Sequence, residues 1–218
     1  MIKTSLILDF GGVIARTVFE LHGLTEQVLG LPAGTLTWLG PLDPETDELW
    51  RRVERGEVAE PEYWRRRASE VGGLVGETWD IETFFLRAQG SDPNAIIRPE
   101  AVTTVRRVKT AGIRVAVLSN ELGRFFGRDF RSRINLLSEI EVISDGTATG
   151  VFKPEPRAYE LCLEALGSVA AETVFVDDQP RHVEGARRLG IDAIRFDIRE
   201  PARCYAEIER LLLPNPPR

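Results

Sequence analysis

The chain is poor in the residues that bind soft metals or carry redox chemistry. It holds two cysteines, two histidines and one methionine among 218 residues. Cys162 and Cys204 lie far apart and match no zinc or thiol-redox spacing, which excludes a disulfide scaffold and a cysteine-built metal centre. Cys162 falls on the apolar side of a helical pattern and reads as a small core residue. His22 and His182 are solitary and read as polar surface or helix-start residues. Positive charge is also in deficit. A formal net charge of -6 excludes nucleic acid as a principal partner, because a phosphate backbone rewards a basic face. The run "WRRRASE" (Trp64 to Glu70) does not change this, since three consecutive arginines point around a helix and read as solvated surface. Long apolar runs are absent too. No segment approaches the roughly 20 residues of a membrane span. "MIKTSLIL" breaks at Asp9, too soon for a signal peptide. The expectation is a cytoplasmic protein with no nucleic-acid or membrane partner, acting as a monomer or homodimer.

What the chain does have is enough hydrophobic residues, 43%, to bury a sizeable core. Four short aliphatic runs read as buried parallel strands: "SLIL" before Asp9, "IRVAVL" before Ser119, "TVFV" before Asp177 and "DAIRF" near Arg195. "IEVI", Ile140 to Ile143, is a weaker candidate. Between them lie helical patterns. "PEAVTTVRRVKTAG" opens with a proline, closes on a glycine and lines up Ala101, Val105 and Val108. "EPRAYELCLEALG" aligns Ala158, Leu161, Cys162, Ala165 and Leu166. Strand and helix in alternation predict a doubly wound α/β fold with a parallel sheet.

The segment after the first strand has a different character. "ETDELWRRVERGE", "PEYWRRRASEVGG" and "IETFFLRA" carry helical spacing, and Ile81, Phe84, Phe85 and Ala88 form one stripe of the last. The chain therefore leaves the sheet, builds a small helical module over residues 16–95, and returns. Trp50 and Trp64 fall on apolar helical faces and read as the core of that module. The "PNPPR" end reads as a frayed tail.

In an open parallel sheet, ligands gather where strands end. The residues there are Asp9, then Ser119 and Asn120, then Asp177 and Asp178, with Lys153 in a loop just before a helix. Three carboxylates in one site repel one another unless a cation sits among them. Oxygen donors without histidine or cysteine point to Mg²⁺, which tolerates waters and a phosphate in its shell. Gly11 and Gly12 let the chain curl after Asp9, so that its N–H groups face an anion.

"LILDFGGVI", "VLSN", "VFKPEPRAYELCLEALG" and "TVFVDDQPRHVEGARRLGI" together resemble the four motifs of the haloacid dehalogenase (HAD) superfamily, in order. The resemblance implies a HAD-like, Rossmannoid core at residues 1–15 and 96–218 with a helical cap at 16–95. The cap is similar to those of the epoxide-hydrolase phosphatase domain and of bacterial sugar-1-phosphate phosphatases. The resemblance makes Asp9 the nucleophile that takes up a phosphoryl group from a small phosphorylated metabolite. Gly12, Ser119, Asn120 and Lys153 would surround the phosphoryl oxygens. Asp9, the carbonyl of Gly11 and Asp178 would hold Mg²⁺, with Asp177 acting through water or from behind.

One position departs from the pattern. The phosphatases of this superfamily usually carry a second aspartate two residues after the nucleophile, to protonate the leaving oxygen. Here it is Gly11. General acid help is worth roughly 10²–10⁴-fold, so the expected substrates have leaving groups that need little protonation, such as anomeric or acyl phosphates. Two alternatives stand beside this reading. One is a 2-haloacid dehalogenase, for which "LSN" and Tyr159 would suit but the retained Asp177–Asp178 pair would not. The other is a catalytically weak binding or regulatory protein.

Overall fold

The computed structural model describes residues 2–126 and 129–213. The proline-rich end, read from sequence as a tail, lies outside them. The described chain divides into two compact units: Met1–Arg16 with Ile97–Arg218, and Thr17–Ile96.

The first unit is a parallel sheet of five strands, β1 (Ser5–Leu8), β2 (Arg114–Ser119), β3 (Val142–Asp145), β4 (Thr173–Asp177) and β5 (Asp192–Arg195), in the order β3-β2-β1-β4-β5. β1, β2 and β4 read as continuous aliphatic runs because helices cover both faces: nearly every residue in them is buried. The chain builds outward from central β1 through β2 to β3, then crosses back to start β4 on the other side of β1. The reversal leaves a crevice at the carboxyl ends of β1 and β4. Leu8 pairs with Val176, and Asp9 N–H donates to the Val176 carbonyl at 2.9 Å, so Asp9 and Asp177 sit side by side at that crevice.

Two sequence expectations shift. β3 starts two residues later than "IEVI" suggests. Ile140 instead anchors the preceding turn at 1% exposure, and the strand runs on through Ser144 and Asp145, which pair with Leu118 and Ser119. In the helix Pro156–Leu166 the buried stripe is Ala158, Tyr159, Cys162, Leu163 and Leu166, whereas Ala165 faces solvent. Cys162 is a core residue, as its place in the pattern implies. Burial pushes its thiol up to about 12, which keeps it protonated.

The second unit is helical, with His22–Leu29, Glu48–Glu54, Glu60–Leu74 and Ile81–Ala88 packed around Phe19, Trp38, Tyr63 and Phe84. Trp50 and Trp64 pack against this core, as their faces predict. The arginine run is less uniform than the sequence suggests. Arg65 and Arg66 pair with Glu62 on the surface, but Arg67 turns inward. It lies 4.7 Å over the Trp38 ring and 2.6 Å from the fully buried Asp47, which also accepts the Tyr63 hydroxyl. His22 is likewise no surface residue: it is buried, edge-on to Trp38 at 4.3 Å. None of the described helices is long and apolar enough to cross a membrane.

Candidate active site

The switch point collects charge. Asp9, just past β1, is 9% exposed, Asp177, the last residue of β4, is 0% exposed, and Lys153 is 3% exposed. Lys153 Nζ lies 2.7 Å from Asp9 Oδ1 and 2.6 Å from Asp177 Oδ2, bridging the two carboxylates. The lysine arrives from a loop that Asn120 braces at the lysine's own main chain: Lys153 N–H donates to Asn120 Oδ1 at 2.7 Å, and Asn120 Nδ2 donates to the Lys153 carbonyl at 3.1 Å. Asn120 thus spends much of its amide on holding Lys153. Ser119 closes β2 and is buried at the same edge.

Gly12 has φ +77°, in the left-handed region that favours glycine. A Cβ there would lie 2.7 Å from Asp178 Oδ2, so the backbone approaches that carboxylate as no side chain would permit. Gly11 is the opposite case, since a Cβ added there would meet no heavy atom within 4 Å. The loop is pinned from behind. Arg98 Nη2 donates to the Gly12 carbonyl at 3.0 Å, Tyr205 Oη to that of Val13 at 2.9 Å, and Arg98 N–H to that of Ile14 at 2.9 Å.

The buried charges settle unequally. Burial raises the Asp9 carboxyl above its ordinary range, the pull of Lys153 offsets this only in part, and Asp177 pushes the same way as burial. Burial also works against the Asp177 charge, but Lys153 and His182 outweigh it and hold that carboxyl below its usual value. For Lys153 the two carboxylates overcome burial, and its ammonium is held on more firmly than usual. Oxygens of Asp9, Asp177 and Asp178 all lie within 4.8 Å of one another. An oxygen-only set of carboxylate donors suits a hard divalent cation.

The sequence motifs therefore bring Asp9, Gly12, Ser119, Asn120, Lys153, Asp177 and Asp178 to one sheet edge, with Gly11 beside them. Sequence reasoning missed three supports. Arg98 and Tyr205 hold the Asp9 loop, and His182 is buried with Nδ1 3.1 Å from Asp177 Oδ1. A signal for His182 existed: it is the third residue of the helix Pro180–Arg188, a position whose side chain often folds back on the preceding turn. Tyr159 packs into the core of the sheet unit. It is wholly buried, edge-on to Phe175, and donates its hydroxyl to the His182 carbonyl at 2.7 Å.

A parallel sheet with a buried carboxylate and an acidic pair at its switch point defines a class of hydrolytic α/β proteins. Residues 4–190 match the haloacid dehalogenase-like hydrolase family, and the chain belongs to it. Phosphatase MT3486 of Mycobacterium tuberculosis is 32% identical over 89% of this chain and 87% of its own length. (S)-2-haloacid dehalogenase 1 of a Pseudomonas species is 25% identical over 88% of this chain and 80% of its own. A further match is mouse acyl-CoA dehydrogenase family member 10, 23% identical over 95% of this chain, and the chain spans only 19% of that relative's length. The crystal structure of YfnB from Bacillus subtilis, bound to magnesium, superposes with a TM-score of 0.67 over 98% of this chain and all of that one, at 18% identity. The protein is a HAD-type hydrolase.

Proposed function

We propose that the chain is a Mg²⁺-dependent phosphatase of a small phosphorylated metabolite, working through an aspartyl phosphate at Asp9, with the helical unit over residues 16–95 as the cap that selects substrate. The observation that carries this reading is the convergence of Asp9, Lys153, Asp177 and Asp178 at one strand-end crevice, with an oxygen-only donor set.

Asp9 attacks phosphorus through a carboxylate oxygen, the bond from phosphorus to the leaving oxygen breaks, and that oxygen departs with its electron pair. Water then hydrolyses the acyl phosphate, which frees inorganic phosphate and restores the carboxylate. Lys153, fixed on Asp9 Oδ1, sets the direction of the other oxygen. Its ammonium also lies where the transferring group builds negative charge. Ser119 and the N–H groups of the Gly11–Gly12 turn bind the phosphoryl oxygens. Asp9, Asp178 and the Gly11 carbonyl would hold Mg²⁺, which when bound would offset phosphate charge. Asp177, already engaged by Lys153, His182 and the Gln179 N–H, would support the ion from behind. Gly11 supplies no acid, so substrates with good leaving groups are favoured, anomeric and acyl phosphates among them.

Phosphate release from p-nitrophenyl, acetyl, glucose-1- and glycerol-3-phosphate, with Mg²⁺ and with EDTA, tests the reading. The expected result is Mg²⁺-dependent turnover, abolished in Asp9→Asn, with the alkyl ester slowest by at least about tenfold. Equal turnover of glycerol-3-phosphate would overturn the role given to Gly11. Halide release from 2-chloropropionate in EDTA would move the chain to the dehalogenases, and neither product would leave a binding role.

A further inference from the structure

His182 is a buried histidine that none of the chemistry above requires. Its Nδ1 lies 3.1 Å from Asp177 Oδ1 and 3.2 Å from Oδ2, astride the carboxylate, while Nε2 is buried with no hydrogen-bond partner among the described residues. The other contacts to Asp177 are one-sided: Gln179 N–H meets Oδ1 at 2.8 Å, and Lys153 Nζ meets Oδ2 at 2.6 Å.

We propose that His182 is a positioning residue of the hydrolytic site: its Nδ1–H locks the Asp177 carboxylate so that Oδ2 faces Lys153, and through Lys153 it fixes the aim of Asp9. The proposal rests on the hydrolase reading of the same site.

Three features support it. A carboxylate turns easily about its last torsion, which has broad, two-fold wells. A donor shared by both oxygens sets the plane that Gln179 and Lys153, each on one oxygen, leave less defined. The tautomer follows from chemistry. A lone pair on Nδ1 would face two carboxylate oxygens, so Nδ1 carries a proton. The main chain that carries the imidazole is itself held. The Tyr159 hydroxyl donates to the His182 carbonyl at 2.7 Å, and Tyr159 packs edge-on to Phe175 of β4 at 5.4 Å between ring centroids. A continuous line of contacts thus runs from the sheet core through Tyr159, His182, Asp177 and Lys153 to Asp9.

The test compares the full chain with His182→Asn, His182→Gln and His182→Leu, using Mg²⁺ and p-nitrophenyl phosphate. The asparagine Nδ2 reproduces the place of the histidine Nδ1, whereas the glutamine amide reaches toward Nε2. Loss of a partner that orients a functional group typically costs about 10–100-fold. The expected result is a kcat lower by that factor in the Leu and Gln variants, a KM within about twofold of the wild type, and an Asn variant close to wild type. A Leu or Gln variant with wild-type kcat, or an Asn variant as slow as Leu, overturns the proposal. If Leu fails to fold, the Asn and Gln pair decides. The imidazole ¹⁵N spectrum of the wild type reads the contact without turnover: a proton on Nδ1 is expected, and one on Nε2 alone overturns the proposal. An inactive wild type with the Nδ1 tautomer intact would instead strike the phosphatase reading.

Discussion

Gly12 and Asp178 are in contact in a way only glycine allows: a Cβ on Gly12 would stand 2.7 Å from Asp178 Oδ2. Gly12→Ala therefore pays for a left-handed backbone, about 1–2 kcal/mol, and pushes Asp178 out of the carboxylate cluster. Urea unfolding should show that loss, and Mg²⁺ titration a weaker affinity. Gly11→Ala, next door, meets open space and should change stability by less than about 1 kcal/mol. Equal losses for the two variants would contradict this account of the turn.

Lys153 is the cation on which two buried carboxylates depend. Lys153→Met leaves both without it, and removing one partner of a buried ion pair costs about 3–5 kcal/mol. The variant should be inactive and unfold at markedly lower urea. Its deficit should shrink on acidification, because Asp9 and Asp177 then take up protons and the buried negative charge disappears. A deficit independent of pH would mean that packing, not charge, is the cause.

His22 supplies a pH effect within the helical unit. Burial lowers its pKa from the ordinary 6.5, and the neighbouring Leu36 backbone opposes this only in part. A depressed pKa means that the unfolded chain binds the proton more tightly. The stability linked to His22 is thus fully present above pH 6.5 and drains away as pH falls toward the folded-state value. Thermal melts at pH 7.5 and 5.5 should show a drop in the wild type that is smaller in His22→Leu. The same drop in both proteins would clear His22.

Much of this was legible in the sequence because the strands are buried on both faces. Continuous aliphatic runs ending at Asp9, Ser119 and Asp177 admit few other readings. β3 was displaced because its second half is Ser144–Asp145, polar residues that no hydrophobic pattern marks. The four motifs named the residues that face one another, but not those that support them. Arg98, Tyr205 and His182 act through backbone carbonyls or through another side chain, and such contacts leave no periodic trace. Both histidines lie in the first turn of a helix, as one of their two sequence readings has it, but their burial left no sign: a lone polar residue in a helix looks solvated until its partner, Trp38 or Asp177, is placed beside it.

Ala15 and Ile97 form an isolated antiparallel bridge at the point where the chain departs from the sheet unit and comes back. The two ends of the detour are thus stitched together inside the unit that owns the sheet. Closing a longer flexible detour costs only about 0.6 kcal/mol per doubling of its length. A lineage could enlarge, shrink or exchange everything beyond that stitch while the strand ladder, and the carboxylates at its tips, stayed unchanged.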